Sequence, residues 1–403
     1  RSEIIGTAWP HSWVVITGLP EISDWAEVKK TRRDEESTPQ VSSDLQLRCT
    51  EAGGPELMNG IMRGAVVKRL GDPGEEGTIV IEDSLPPLER NVAGGRVRVI
   101  VHVVSLNFAD LLQVKGQYQE RKEPPFVFGS EFSGVVAAVG EGSRLVIGQR
   151  VCGLTSDGAV AEQVEVPSDS LFPIPDGVSM EDAASSVIAM GTAWMALMQR
   201  ARMNSTSRVL VLGAAGGVGS MAVQLCRAKG AHVTGTATNH SKANFVRRLG
   251  ASSVIEISRT DRDPRHIAKL IRETSEKVPF DIVLDNVGGA PLEAALKCIR
   301  WGGQICVVGF ATGSIPSLPA NILLVKNLTV HGIYWGGHLA QGIPSPLRDS
   351  VSAAMSLLQA KRIQPEWRQY ELNEITKACQ SLQMGHVYGK ILLRVRYVPS
   401  AAL

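Results

Sequence analysis

Four glycines, Gly213, Gly216, Gly217 and Gly219, follow the apolar run Val209 to Leu212 in the stretch RVLVLGAAGGVGSMA. Glycine lets the backbone turn sharply and lets amide groups approach an anion without a Cβ between them. A helix expected from about Val218 to Lys229 points its positive N-terminal end at the same place. The pattern predicts a dinucleotide pyrophosphate site; the alternative is a tight turn that only packs closely. The residues expected to line the site are Ala215, Gly216, Gly217, Val218 and Gly219.

The end of the next predicted strand, in HVTGTATNHSKANF, carries no acidic side chain. An NAD site usually places Asp or Glu about 20 residues beyond the first glycine, where the carboxylate binds the ribose hydroxyls. Here Thr238, Asn239 and Lys242 occupy that region. Hydroxyl, amide and ammonium groups suit a 2′-phosphate dianion, so NADPH is the favoured cofactor. The alternative for Lys242 is that it only solvates the first turn of a helix.

Two regions with different hydrophobic patterns must position these residues. Residues 62–178 show short apolar runs cut by Gly and Pro, such as GTIVIED and GRVRVIVHVVSLN, which predict an irregular, mostly antiparallel β domain. Residues 179–330 begin with a helical stretch and continue with alternating strands and helices, typical of a doubly wound parallel sheet. Residues 331–403 are expected to complete the sheet edge and to return to the β domain through KILLRVRYV. The predicted fold class is α/β.

The composition bounds the function. The chain has 403 residues, of which 44% are hydrophobic and 20% charged, with a formal net charge of +2. This length suits about two domains, and the charge balance disfavours nucleic acid and membrane surfaces as partners. The six cysteines are far apart, which predicts reduced, mostly buried thiols. No apolar stretch reaches the roughly 18 residues of a membrane span, so we expect no membrane insertion and a cytoplasmic location.

The first 61 residues differ from the rest. They contain the mixed-charge run KKTRRDEESTPQ, from Lys29 to Gln40, and no sustained hydrophobic period. Such a segment is expected to be a flexible or loosely docked extension. Its acidic residues disfavour a mitochondrial transit peptide, although a mitochondrial location stays an alternative. The globular part is expected to begin at Met58 or Met62.

Five motifs follow one another along the chain: NFADLLQVKGQYQE, GSEFSGVVAAVGEG, GTAWMAL, GAAGGVG and GKILL. In this order they resemble the quinone oxidoreductase branch of the medium-chain dehydrogenase/reductase superfamily. The resemblance covers about Met62 to Val398 and implies a GroES-like β domain with an inserted Rossmann domain. It also implies a nicotinamide in the cleft between the two, and a homodimer formed by edge strands near GIYW.

Zinc-dependent members of this superfamily use a cysteine early in the β domain and a His-Glu pair in a GHE motif. Here Ser130 stands where that histidine would, before Glu131, and the stretch NFAD offers no thiolate. We therefore expect no metal. Without a Lewis acid, alcohol oxidation loses its usual electrostatic support, whereas hydride addition to a quinone or an activated alkene stays feasible. Glu131 is either a leftover ligand or a buried hydrogen-bonding residue.

The resemblance assigns two candidate catalytic residues. Tyr118 would lie beside the nicotinamide, where its phenol can donate a hydrogen bond or a proton to a developing oxyanion or enolate. Asn107 would orient the nicotinamide ribose or the substrate carbonyl. The alternative is that Asn107 caps the following helix and Tyr118 closes a turn.

Further residues are expected in the cleft by the same resemblance. An aromatic wall, or else core or dimer interface, is expected from Phe310, Tyr334 and Trp335. Lys390 is a cofactor candidate whose alternative is an ordinary surface residue. The remaining expected cofactor contacts are Thr192, Asn286, Gly309 and Phe310.

Three functions compete. The first is a zinc-independent, NADPH-dependent quinone reductase. The second is an NADPH-dependent reductase of enone or enoyl-thioester double bonds, with Tyr118 as proton donor. The third is an NADPH-binding structural or regulatory protein of crystallin type, because many relatives carry a tyrosine near the adenine where this chain has Ile257. Arg259 is a candidate substitute for that tyrosine.

Overall fold

A computed structural model describes residues 61–89, 91–156 and 158–395. Residues 1–60, and with them nearly all of the predicted extension, lie outside the described residues. The first described strand begins at Met62.

The described strands and helices are numbered here in chain order. The strands are β1 (Met62–Val67), β2 (Ile79–Leu85), β3 (Arg96–Leu106), β4 (Phe126–Val127), β5 (Glu131–Val139), β6 (Arg150–Leu154), β7 (Gln163–Pro167), β8 (Leu171–Pro173), β9 (Arg208–Leu212), β10 (His232–Ala237), β11 (Ser253–Glu256), β12 (Phe280–Asp285), β13 (Ile299–Val307), β14 (Thr329–Gly332), β15 (Trp367–Glu371) and β16 (Lys390–Arg394). The α-helices are α1 (Phe108–Val114), α2 (Met180–Trp194), α3 (Gly217–Lys229), α4 (His240–Arg248), α5 (Pro264–Thr274), α6 (Gly289–Ala295), α7 (Ala320–Lys326), α8 (Gly337–Ala340), α9 (Ser345–Gln359) and α10 (Ile375–Gln383).

The β lobe, defined as β1–β8 with β15 and β16, contains two sheets. One has the order β2-β1-β4, and the other has the order β15-β16-β3-β5-β6-β8 with β7 also paired to β3. Most pairings are antiparallel, and β15 with β16 is the parallel exception among the described strands of this lobe. Strand β16 pairs with β3, so the end of the chain returns to the sheet that its beginning builds.

The parallel lobe, defined as β9–β14 with their helices, holds a sheet of order β11-β10-β9-β12-β13-β14. All five neighbouring pairs in it are parallel. The chain winds outward from β9 in one direction and from β12 in the other, so a crevice opens between the carboxyl ends of these two strands. The prediction of an α/β fold with a doubly wound sheet beside a β domain is confirmed.

Strand β9 explains why the parallel sheet is apolar throughout. Val209, Leu210, Val211 and Leu212 are all 0% exposed. Val209 and Val211 pack into the core that α2 and α9 cover, whereas Leu210 and Leu212 pack into the core under α5 and α6. Side chains alternate across a strand, so a strand covered on both faces needs an apolar residue at every position. Each such burial contributes about 1.5–3 kcal/mol.

The predicted strand LTVHGIYW is shorter than expected, because β14 ends at Gly332. Trp335 leaves the sheet for the core, where it is 3% exposed and its Nε1 donates to Ser350 Oγ over 2.9 Å. The indole occupies space that Gly191 leaves open, since a Cβ there would lie 2.7 Å from the ring. Of the alternatives for Trp335, the structure supports the core.

No helix in the described part of the chain is both long and apolar enough to cross a membrane.

Candidate functional site

The glycine turn, residues 213–219, joins β9 to the 13-residue helix α3. Gly213 has a φ of +74°, which favours glycine. A Cβ at Gly219 would lie 2.2 Å from Gly213 O, so only glycine allows α3 to begin this close to the strand. The first backbone bond of α3 runs from Ser220 N to Gly216 O. The backbone N–H groups before Ser220 have no partner within the helix. They are therefore free to donate hydrogen bonds to an anion.

Asn286 stands directly after β12 and closes the other side of the crevice. Its Nδ2 donates to Leu212 O over 2.9 Å, whereas its Oδ1 is buried without a hydrogen-bond partner. An unsatisfied buried acceptor costs about 1–3 kcal/mol. A ribose hydroxyl or a carboxamide of a dinucleotide would supply the missing donor, so this residue fits such a ligand.

Gly309 and Phe310 follow β13 at the same edge of the sheet. Gly309 N donates to Asp285 O over 3.3 Å, which keeps this loop against the end of β12. Phe310 lies beside Gly288, where an added Cβ would come within 3.0 Å of the ring. The structure thus gathers Asn286, Gly309 and Phe310 around the predicted crevice.

Two buried charged side chains and the half-buried Asn107 meet where the β lobe faces the glycine turn; we call them the Asn107–Glu131–Lys390 cluster. They stand at the ends of β3, β5 and β16, which are neighbours in one sheet. Lys390 Nζ donates to Glu131 Oε2 over 3.0 Å and to Asn107 Oδ1 over 2.6 Å. Glu131 is 0% exposed and Lys390 3% exposed, so the surface alternative for Lys390 is wrong.

Hydrogen-bond accounting limits what this cluster can do. Lys390 uses its third donor on Leu106 O at 3.0 Å. Asn107 Nδ2 donates to Glu131 Oε2 at 2.9 Å and to Ser105 O at 3.3 Å, so both of its donors are engaged. Asn107 Oδ1, which accepts from Lys390 Nζ, also belongs to the capping box that Asn107 forms with Asp110 at the start of α1, so the amide oxygen serves as an acceptor. Asn107 can accept from a ribose hydroxyl, but it has no donor left for a substrate carbonyl.

The cluster also contacts the parallel lobe. Glu131 Oε1 accepts from Ile188 N of α2 over 2.6 Å. A Cβ at Gly217 would lie 2.9 Å from Lys390 Cδ, and Gly389 N donates to Ala215 O over 3.0 Å. Strand β16 therefore supports the glycine turn directly. For Glu131, the structure supports the buried hydrogen-bonding alternative.

Ser130, which the resemblance places where a zinc-binding histidine was expected, bonds to a buried carboxyl group. Ser130 Oγ donates to Asp110 Oδ1 over 2.6 Å, and Asn107 N donates to Asp110 Oδ2 over 2.7 Å. Burial raises the pKa of Asp110 to about 6, although both hydrogen bonds oppose the rise. In the described ranges, no three His, Cys, Asp or Glu side chains come together as a group able to hold a metal ion.

The predicted phosphate-binding residues lie at the carboxyl end of β10. Thr238 and Asn239 are exposed, and Asn239 Oδ1 caps α4 by accepting from Lys242 N over 2.9 Å. Lys242 Nζ donates to Gly385 O over 2.6 Å, and Arg259 Nη1 donates to Met384 O over 2.7 Å. Burial, and then the charge of Arg259, lower the pKa of Lys242. Two cations thus meet at one loop of the β lobe.

Tyr118 is half-buried in the loop after α1, and its ring makes an edge contact with Tyr334 at 6.4 Å between centroids. Tyr334 Oη donates to Glu120 Oε1 over 2.7 Å. Burial raises the pKa of Tyr118, so its phenol holds its proton at neutral pH. Thr192 is buried within α2, next to the glycine that accommodates Trp335.

Sequence reasoning missed Glu120. It is exposed, lies in a stretch of mixed charge, and is separated from Tyr334 by 214 positions. Nothing in its local pattern distinguishes it from a solvated surface acid.

The buried ion pair gives a stability prediction. In Lys390→Met, Glu131 keeps its charge in the interior without its cation, and we expect the free energy of unfolding to fall by about 3–5 kcal/mol. Adding Glu131→Gln should recover most of that loss, because the uncompensated charge is gone. Urea unfolding measures both, with Arg348→Met as a control that breaks only an exposed pair with Asp169. Equal losses in the single and double variants would contradict this account.

Two protein families match the chain. The family described as alcohol dehydrogenase GroES-like domain matches residues 93–176, and that described as zinc-binding dehydrogenase matches residues 217–359. The first match falls within the β lobe. The second begins at the start of α3 and reaches the end of α9.

Similar proteins cover most of the chain. A quinone oxidoreductase-like protein 2 homolog of Nematostella vectensis is 34% identical over 83% of this chain and 89% of the relative. Quinone oxidoreductase-like protein 2 of Bos taurus is 37% identical over 79% of this chain and 89% of the relative. A mycobacterial structure complexed with NADPH is 25% identical, with a TM-score of 0.74, and covers 83% of this chain and 99% of that chain.

The family matches fall on both lobes, and the relatives cover most of the chain. The chain belongs to the quinone oxidoreductase branch of the medium-chain dehydrogenase/reductase superfamily, and it is an oxidoreductase.

Proposed function

We propose that this protein is a zinc-independent, NADPH-dependent quinone reductase. The observation that carries the proposal is the Asn107–Glu131–Lys390 cluster beside the glycine turn. Both oxygens of Glu131 accept from N–H donors there, so the glutamate is neutralised by an ammonium group and engaged by three residues. In zinc-dependent relatives the equivalent residue accompanies a histidine ligand, which Ser130 replaces here.

The residues of the crevice suit NADPH. Amides at the start of α3 would hold the pyrophosphate, Asn286 Oδ1 and Asn107 Oδ1 would accept from the nicotinamide end, and Lys242 would pair with the 2′-phosphate. Once bound, this cofactor supplies a hydride. The names of the relatives and the NADPH in the mycobacterial structure support the assignment.

Reduction of a quinone requires the protein to position the reactants and to stabilise the negative charge that develops on the acceptor. A quinone is already electrophilic, so no Lewis acid is needed to polarise it. The phenol of Tyr118 stays protonated because burial raises its pKa, and it can donate a hydrogen bond to the oxygen on which negative charge develops. The Asn107–Glu131–Lys390 cluster holds Asn107 Oδ1 in one place while the acceptor is reduced.

A second candidate is reduction of the double bond of an enone or enoyl thioester. The same phenol favours it, because a protonated tyrosine in the cleft can deliver the proton that a carbanion or enolate requires. A quinone does not require this group, since water can protonate its hydroquinone anion.

We also propose a homodimer formed by the parallel sheets. Strand β14 is the outer strand of its sheet, and α7 beside it has no buried residue. Ile315, Leu324 and Val325 are 75%, 81% and 66% exposed. An exposed strand edge next to a patch of large apolar side chains fits a second copy of this chain.

The quinone assignment predicts the order of activities in a steady-state screen. With NADPH, we expect turnover of 1,4-naphthoquinone to exceed that of an alkenal and of an enoyl-CoA. Loss of NADPH absorbance at 340 nm measures all three. Preferred turnover of the enoyl-CoA would support the second candidate, and no NADPH oxidation with any quinone would refute the first.

The phosphate assignment predicts a change in cofactor preference. Lys242→Ala removes an ammonium group from the 2′-phosphate, and we expect the ratio of NADPH to NADH affinities to fall about 10- to 100-fold. Titration of nucleotide fluorescence gives both dissociation constants. Lys269→Ala, which removes an exposed lysine of α5, is the matched control. An unchanged ratio in Lys242→Ala would show that the phosphate lies elsewhere.

The dimer proposal predicts that charge on α7 prevents association. Leu324→Glu would place a carboxylate in the apolar interface, and we expect the variant to sediment as a monomer where the wild type sediments as a dimer. Analytical ultracentrifugation at micromolar concentration measures this. A monomeric wild type would refute the proposal.

A further inference from the structure

One contact joins the two lobes and takes no part in the function proposed above. Tyr334 follows β14 in the parallel lobe, and Glu120 follows α1 on the β lobe side. Tyr334 Oη donates to Glu120 Oε1 over 2.7 Å, and the Tyr334 ring meets that of Tyr118 at an interplanar angle of 69°. Tyr334 therefore contacts both the candidate catalytic phenol and the carboxylate two residues beyond it.

The backbone around Tyr334 fixes its ring. Gly337 lies under the ring, where a Cβ would come 2.3 Å from Tyr334 Cδ1. The next residue, Trp335, is anchored in the core by its bond to Ser350 Oγ. A side chain held between an anchored neighbour and a glycine has little freedom, so Tyr334 is a rigid partner for the loop that carries Tyr118.

The direction of the hydrogen bond follows from the groups present. An ionised carboxylate only accepts, so the single hydrogen of Tyr334 Oη is directed at Glu120. The contact that the structure shows between Tyr334 and Tyr118 is then the edge contact of their rings. Burial raises the pKa of Tyr118, so its phenol keeps its proton.

We propose that Tyr334 and Glu120 are positioning residues for Tyr118. Glu120 orients the phenol of Tyr334, and Tyr334 holds the ring of Tyr118 through the edge contact. The proposal rests on the function proposed above, in which Tyr118 donates a hydrogen bond to the reduced acceptor. It adds that the donor is set in place from the opposite lobe.

Steady-state kinetics with NADPH and 1,4-naphthoquinone test the proposal through Tyr334→Phe, Tyr118→Phe and the double variant. We expect Tyr334→Phe to lower kcat about 3- to 10-fold and to leave the KM for NADPH unchanged, because Tyr334 is not among the residues that would hold the cofactor. In the Tyr118→Phe background the same change should have no further effect. Independent, multiplicative losses in the double variant would overturn the proposal, as would an unchanged kcat in either single variant.

Two changes at Glu120 separate hydrogen bonding from fold damage. Glu120→Gln keeps an acceptor oxygen and should retain most of the activity, whereas Glu120→Ala should behave like Tyr334→Phe. Tyr370→Phe is the matched control, because it removes a phenol bond of 2.9 Å to Ser381 within the β lobe. If Glu120→Ala retains full kcat, Glu120 has no positioning role.

A second measurement needs no turnover and so separates this proposal from the proposed function. In protein labelled with 13C at the tyrosine ring, NMR reports the surroundings of the Tyr118 ring directly. We expect the Tyr118 resonances to shift in Tyr334→Phe, because the ring that lies edge-on to Tyr118 loses its bond to Glu120. Unchanged Tyr118 resonances would overturn the positioning role, whether or not quinones are reduced.

Discussion

The ion pair between Lys390 and Glu131 is the interaction on which the site depends. Both side chains are withdrawn from water, at 3% and 0% exposed, so each is tolerable only with the other present. Their partners come from several elements of the chain: Asn107 after β3, and Ile188 in α2. Removing both charges from water costs free energy, which their hydrogen bonds to each other and to Asn107 and Ile188 offset. These bonds also join the β lobe to the parallel lobe.

The pair determines the chemistry left to its neighbours. Because Glu131 and Ser105 O take both donors of Asn107, the amide can only accept, and this restricts it to hydroxyl or amide groups of a cofactor. Lys390 Nζ donates its three hydrogens to Leu106 O, Asn107 Oδ1 and Glu131 Oε2. It therefore supports the glycine turn by packing and has no free donor for an anion. The cluster therefore acts as a scaffold at the floor of the cleft.

Close backbone approach is the second constraint. Gly219 allows α3 to begin against Gly213, and Gly217 admits the stem of Lys390. At Gly191 and Gly337 the same absence of a Cβ makes room for aromatic rings, which brings Trp335 into the core and fixes the ring of Tyr334. Small residues thus decide where the large ones lie, and through them where the two lobes meet.

Local sequence pattern was sufficient to predict the fold class, the glycine turn and the order of the β region and the parallel-sheet region. It was sufficient because periodicity and glycine spacing depend on neighbouring residues. The apolar run of β9 required burial on both faces, and the turn after it required glycine. Tertiary structure alone decided that Lys390 is buried, that Trp335 packs in the core, and that β14 ends at Gly332. It alone brought Glu120 to Tyr334 across 214 positions. Such contacts join segments that are distant in the chain, so their partners exist only once the chain has folded, and no local pattern of charge or hydrophobicity records them.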